Sequence, residues 1–322
     1  MPSFYIKGEK RMKKLLTVLL ALGLMAACAA PEEVEAPENE IVSYSVLAPK
    51  GAPALGVVRA MTNDRGDQYT LVDGADALTT ELAKEESEYD IIVAPINVGA
   101  KLISAGKSPY KLAAVLTWGN LYVVGTADAV DSDAIAAFGE AAVPGKVFGN
   151  IVSKLEMTNE ITYFPSVTEA QASLLSGKSK LALIAEPAVT ATMAKAKTNG
   201  MELSIKMDIQ AKWEEIYGSY GYPQAAVFVK NSAYEENPSS INAYLDALEG
   251  SITEDLDSFT KAIELVGAEE LGVPNAQVAT NSYQRQNIKF VEASEKKNEI
   301  QNFLTVFGIT VEDEIYLNRE SK

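Results

Sequence analysis

Chemistry in this chain has to be done without histidine: its 322 residues contain none, and they contain a single cysteine, Cys28. Ser-His-Asp and Cys-His arrangements are therefore excluded, as are metal sites ligated by histidine. No pair of acids stands at predicted strand ends in the way glycoside chemistry needs. A different pattern recurs. Short apolar runs each end in a cluster of polar, aromatic or turn-forming residues: Lys50-Gly51-Ala52-Pro53, then Pro95 and Asn97, then Thr117, Trp118 and Asn120, then Phe148-Gly149-Asn150, then Glu186 before Pro187. In open parallel sheets, small molecules are held at the carboxyl ends of strands. Several clusters open expected helices, whose free N–H groups and dipole favour a carboxylate, sulfonate or phosphate. These residues point to binding rather than to covalent chemistry, with no catalytic residue, metal or cofactor. Each also has a plainer role: Trp118 as a core aromatic, Asn97 and Asn150 as helix caps, Lys50 as a solvated loop residue. Among Tyr217, Tyr220 and Tyr222, one is expected to line the site.

The elements that must position these residues read as alternating strands and helices. Strands are expected at 41–48, 69–72 and 89–94, with helices at 55–61, 76–84 and 98–105 between and after them, on their apolar spacing and flanking turn residues. Residues 111–126 read as two strand halves pinched at Thr117-Trp118-Gly119-Asn120, where a strand could leave one sheet and enter another. The alternation then restarts: a helix at 131–140, a short strand at 146–148, a helix at 151–157, a strand at 161–164, a helix capped by Ser166, a strand at 181–185 and a helix at 188–197. Strands follow at 202–207 and 224–229, and the rest is mainly helical, with a long apolar stripe over 239–266 that breaks near Gly250. Short connections between alternating strands and helices imply parallel sheets covered by helices, in two lobes.

At 47% hydrophobic and 22% charged, the chain has enough apolar mass for two cores. Its formal charge of -16 disfavours a nucleic-acid partner. From Met12, two lysines, an apolar run, two alanines and Cys28 make a signal segment over 1–27 that is too short to span a bilayer, with Met12 as the expected start. Cys28 resembles the lipid-accepting cysteine of bacterial lipoproteins, although Met25 replaces the usual leucine three places upstream. Residues 28–40, acidic and proline-bearing, read as a tether. The expectation is an exported protein, lipid-anchored at the outer face of the bacterial cell membrane.

Five stretches, PKGAPAL, DIIVAPINVGAKL, LTWGNLYVVG, AEPAVTATM and QNIKFVEASEKKNEIQNFLTVF, carry a resemblance that covers roughly residues 41–307. In order and spacing they resemble the ABC-importer substrate-binding proteins that serve nitrate, sulfonates, taurine and thiamine precursors. The resemblance implies a type II periplasmic-binding-protein fold, a hinge of two crossings near Trp118–Asn120 and 222–229, and a ligand cleft between lobes 41–118 with 230–322 and 119–229. It further implies a monomer that works with ABC permease subunits. Trp118 and the tyrosines suit a flat heteroaromatic ligand; a sulfonate or similar anion would want basic groups, and only Lys50 is near a strand end. The alternative is a surface lipoprotein acting as a ligand sensor or as a receptor for a protein partner.

Overall fold

The structure is a computed structural model and describes residues 42–319. The expected signal segment, the tether and Cys28 lie outside the described residues. Strand β1 (Ser45–Pro49) pairs in parallel with β2 (Gln68–Val72) and with β3 (Ile91–Pro95). β4 (Tyr110–Thr117) does not join β3 directly. Between them runs β10 (Ala225–Lys230), antiparallel to both, and β11 (Ile288–Glu292) adds antiparallel to the far side of β4. The first sheet thus has the order β11-β4-β10-β3-β1-β2. The second holds β5 (Leu121–Thr126), β6 (Ile135–Phe138), β7 (Ile161–Phe164), β8 (Leu181–Ala185) and β9 (Leu203–Asp208), in the order β7-β6-β8-β5-β9.

The central strands are almost wholly Val, Ile, Leu, Ala and Phe, because both faces of each sheet are covered. In the first lobe Leu47, Ile92 and Phe228 face α2 (Asp76–Ala83), α3 (Ile96–Ser104) and α12 (Lys297–Thr305). Their neighbours Val46, Ile91 and Val227 face α1 (Ala52–Val57) and α9 (Pro238–Ser251), where Ile241, Tyr244, Leu245 and Leu248 are buried. Beside these lie α8 (Asn231–Glu236), α10 (Leu256–Val266) and α11 (Ala276–Ser282). In the second lobe Val123, Ala137 and Leu183 face α4 (Val143–Lys154) and α7 (Ile209–Tyr217); Val124, Ala136 and Ile184 face α5 (Val167–Leu175) and α6 (Ala188–Thr198). Ser166 and Glu169 form the capping box that starts α5.

The sheets are mixed rather than parallel, because β10 and β11 enter the first sheet and β5 the second against the direction of their neighbours, and three assignments along the chain also fail. The helix over 131–140 is the strand β6, and the strand over 146–148 is the second turn of α4, whose first turn contains Pro144. Phe148, Gly149 and Asn150 are consequently inside a helix and at no strand end. The return crossing comes earlier than residue 229: β10 is bonded to β3 and β4 in the first sheet, so the polypeptide leaves the second lobe over residues 218–224.

Candidate functional site

The registers decide which ends of the strands meet. Ala225, where β10 enters the first sheet, lies opposite Pro95 and Thr117, the last residues of β3 and β4, and β1 runs parallel to β3. In the second sheet Leu121, the first residue of β5, lies opposite Ala185 at the end of β8, and Tyr122 opposite Asp208 at the end of β9; β6 and β7 run parallel to β8 and to each other. The two crossings therefore join the sheets through their carboxyl edges. On this edge the first lobe places Lys50, Gly51, Pro95 and Asn97, with Ala52 and Pro53 in the first turn of α1. The second lobe places residues 139–142 and Glu186. Glu140, Ala141 and Ala142 are exposed there, and sequence reasoning missed them because the strand before them was read as helix.

Several hydrogen bonds hold the crossings together. Tyr222 and Gln224 donate backbone N–H to the carbonyls of Trp118 (3.2 Å) and Thr117 (2.9 Å). The Thr117 hydroxyl accepts from Ala225 N at 3.1 Å. Gln210, fully buried, uses its side-chain amide as a strand would: Oε1 accepts from Leu121 N (2.9 Å) and Nε2 donates to Leu121 O (3.1 Å). Replacing Gln210 with alanine leaves both backbone groups of Leu121 buried without partners. It is expected to lower stability by about 2–3 kcal/mol, read as a lower urea midpoint at an unchanged slope.

Glu186 is buried at the carboxyl end of β8 and its carboxylate is occupied by protein groups. Thr190 donates its N–H (3.1 Å) and its hydroxyl (2.9 Å) to it, and Arg285 of the first lobe donates Nε–H at 2.6 Å. The Arg285 Nη2 also reaches the Thr190 hydroxyl at 2.8 Å. Asn120 pairs with Glu186 through the backbone, and its Nδ2 donates to the Glu186 carbonyl at 2.8 Å. That bond fixes the amide and leaves the buried Asn120 Oδ1 with no hydrogen-bond partner among the described residues; Asn97 Oδ1 and Gln224 Oε1 share this condition. Residues 96 and 224 are neighbours, since Ile96 N donates to Gln224 O at 3.1 Å. A bare buried carbonyl oxygen is costly, so these amides are groups able to meet a donor. Lys50 lies 3.5 Å from Asp73 across the β1 and β2 ends.

The remaining expected residues sit elsewhere. The Trp118 indole donates Nε1–H to the Lys289 carbonyl at 3.0 Å and turns toward β11. With Tyr220, Asn287 and Lys289 it lines a groove of about 600 Å³. In the sheet order β4 and β10 separate β11 from the ends of β3 and β1, so this groove is on the other side of the crossings from Lys50 and Asn97. Tyr220 is half exposed there and donates to Asp208 Oδ2 at 3.0 Å; partial burial, then that bond and the Asp208 charge, push its hydroxyl up to about 12. The Tyr222 hydroxyl, like the three amide oxygens, is buried with no partner among the described residues, and its ring belongs to the core. It is fully buried, stacked on Phe303 at 5.7 Å. Asn150 bonds the Tyr217 hydroxyl at 3.0 Å, and Phe148 is wholly in the core.

Two α/β lobes, joined twice at facing strand ends, with a hinge and a cleft between them, define the type II periplasmic-binding-protein fold, and the chain has it. No protein-family model and no curated protein matches the sequence. Among solved structures it is similar to that of an ABC transporter from Parabacteroides distasonis, with a TM-score of 0.73 and 22% identity over 86% of this chain and 99% of that one. It is also similar to the periplasmic aliphatic sulphonate binding protein of Escherichia coli (TM-score 0.63, 14% identity, 83% and 91% covered). A third is the alkanesulfonate-binding protein from Xanthomonas axonopodis pv. citri bound to MOPS (0.56, 12%, 86% and 95%).

Proposed function

We propose that this chain is the extracytoplasmic solute-binding component of an ABC importer, which captures a small nutrient between its two lobes and delivers it to the permease. The observation that carries the reading is the meeting of two carboxyl strand edges across two crossings, which lets hinge closure bury a ligand. The protein acts as a monomer without catalysis, exported and anchored through lipid on Cys28.

For the ligand we favour a small heteroaromatic of the thiamine-precursor kind over a sulfonate. Asn97, Asn120 and Gln224 offer amide oxygens to ring or amino N–H donors, whereas the nearby cations Lys50 and Arg285 already face Asp73 and Glu186. Stacking on Trp118 is not part of this reading, since its ring faces the β11 groove. A thermal-shift screen over pyrimidines, sulfonates, nitrate and amino acids tests it. A ligand at 100 times its dissociation constant adds about 2.7 kcal/mol to stability. A pyrimidine shift lost in Asn97→Ala supports the reading, and a sulfonate shift that survives it replaces the ligand class. A folded protein that answers none of these compounds favours the other role, a surface sensor or receptor for a protein partner.

A further inference from the structure

We propose that Arg285 is the positioning residue that sets how far the two lobes close, and through closure sets ligand affinity; the affinity part rests on the solute-binding reading above. Arg285 belongs to the 3-10 turn Tyr283–Gln286, between α11 and β11 of the first lobe. Its guanidinium reaches across to two groups of the second lobe, the Glu186 carboxylate at the end of β8 and the Thr190 hydroxyl in α6. Its carbonyl accepts from the hydroxyl of Tyr122 on β5 at 3.0 Å. The same turn is stapled to the first crossing two residues later: Asn287 O accepts from Trp118 N at 3.0 Å, and Asn287 Nδ2 donates to Gly119 O at 2.8 Å.

One end of a short, bonded segment is thus fixed to the hinge and the other grips the moving lobe. A rotation that parts the lobes at Glu186 breaks the bonds of Arg285 and leaves those of Asn287 in place. The grip is uneven in burial. The Glu186 side chain is 0% exposed and that of Arg285 38% exposed, so opening strips a carboxylate that water does not reach in this arrangement. The fraction of molecules in the closed form scales the apparent affinity directly.

The test measures the lobe-to-lobe distance with spin labels at Lys195 on α6 and Glu264 on α10, both exposed, in a Cys28→Ser background. Wild type is expected to give one short distance. Arg285→Ala is expected to move about nine-tenths of the molecules to a longer distance, and Arg285→Lys, which keeps the charge and loses the bond to Thr190, a smaller share. For any ligand found by the screen, affinity should fall at least about tenfold in Arg285→Ala, mainly through faster release. Unchanged distances, even with a lowered melting temperature, would make Arg285 a structural residue only and overturn the proposal. Because the distances need no ligand, a failed screen beside a clear distance change would sink the functional reading alone.

Discussion

Gly221→Ala is expected to destabilise the protein by about 3 kcal/mol or more, from one methyl group on the return crossing. Gly221 has φ +80, where an L residue is strained, and a Cβ built on it lies 2.4 Å from the backbone oxygen of Trp118. That oxygen cannot move away cheaply, because Tyr222 N bonds it and Trp118 N is tied to Asn287. The two crossings touch here backbone to backbone. Denaturant unfolding followed by circular dichroism checks the result, and a midpoint within error of wild type would mean that the crossings are not held as closely as described. A substitution at Gly218, whose Cβ would meet nothing within 4 Å, shares the positive φ but not the clash and serves as the control.

Trp213→Ala is expected to cost about 3–5 kcal/mol, the range for emptying a large buried ring site. Trp213 on α7 stacks on Tyr217 at 4.1 Å and meets Tyr222 at 5.3 Å and Phe303 at 6.1 Å. Those partners belong to the second lobe, the return crossing and α12 of the first lobe, so one apolar cluster runs through the hinge. The loss should therefore uncouple the lobes as well as weaken them. Calorimetry should show a broader or split transition in place of a sharp one; a single sharp transition displaced by less than 1 kcal/mol would contradict the bridging role.

Much of the fold was legible because local signals and tertiary need agreed. Gly119 pinches the run 111–126 where the polypeptide changes sheets, with φ +83, and Ser166 caps the helix it announces. Where they disagreed, the reading failed. Ile135-Ala136-Ala137-Phe138 has the composition of a helix, but it fills the second sheet between β7 and β8 with both faces covered, where small residues fit. The glycines at 145 and 149 argue against the helix they occupy; Gly145 is there because a Cβ would lie 2.4 Å from the Gly139 oxygen. That error misplaced one side of the candidate site by several residues. Glu186 stood out as an acid ending a buried strand, yet its partner Arg285 lies 99 residues away and nothing in either neighbourhood announces the pair. Tyr220 and Tyr222 lie on the return crossing and Tyr217 ends α7, but no sequence signal told the core ring Tyr222 from the exposed Tyr220.

The position of β10 has a consequence for the order in which the molecule can be built. It fills the middle of the first sheet, yet it is made after the whole second lobe. The five strands of that lobe are contiguous in sequence and α7 follows β9 directly, so it can complete itself as soon as α7 is synthesised. The first lobe cannot. Until residues 225–230 arrive, β3 and β4 present apolar, unpaired edges to each other across a gap one strand wide, and closing it requires pairings more than a hundred residues apart. The lobe that begins the sequence is the last to finish, and in that interval its open edges are where association with other chains would begin.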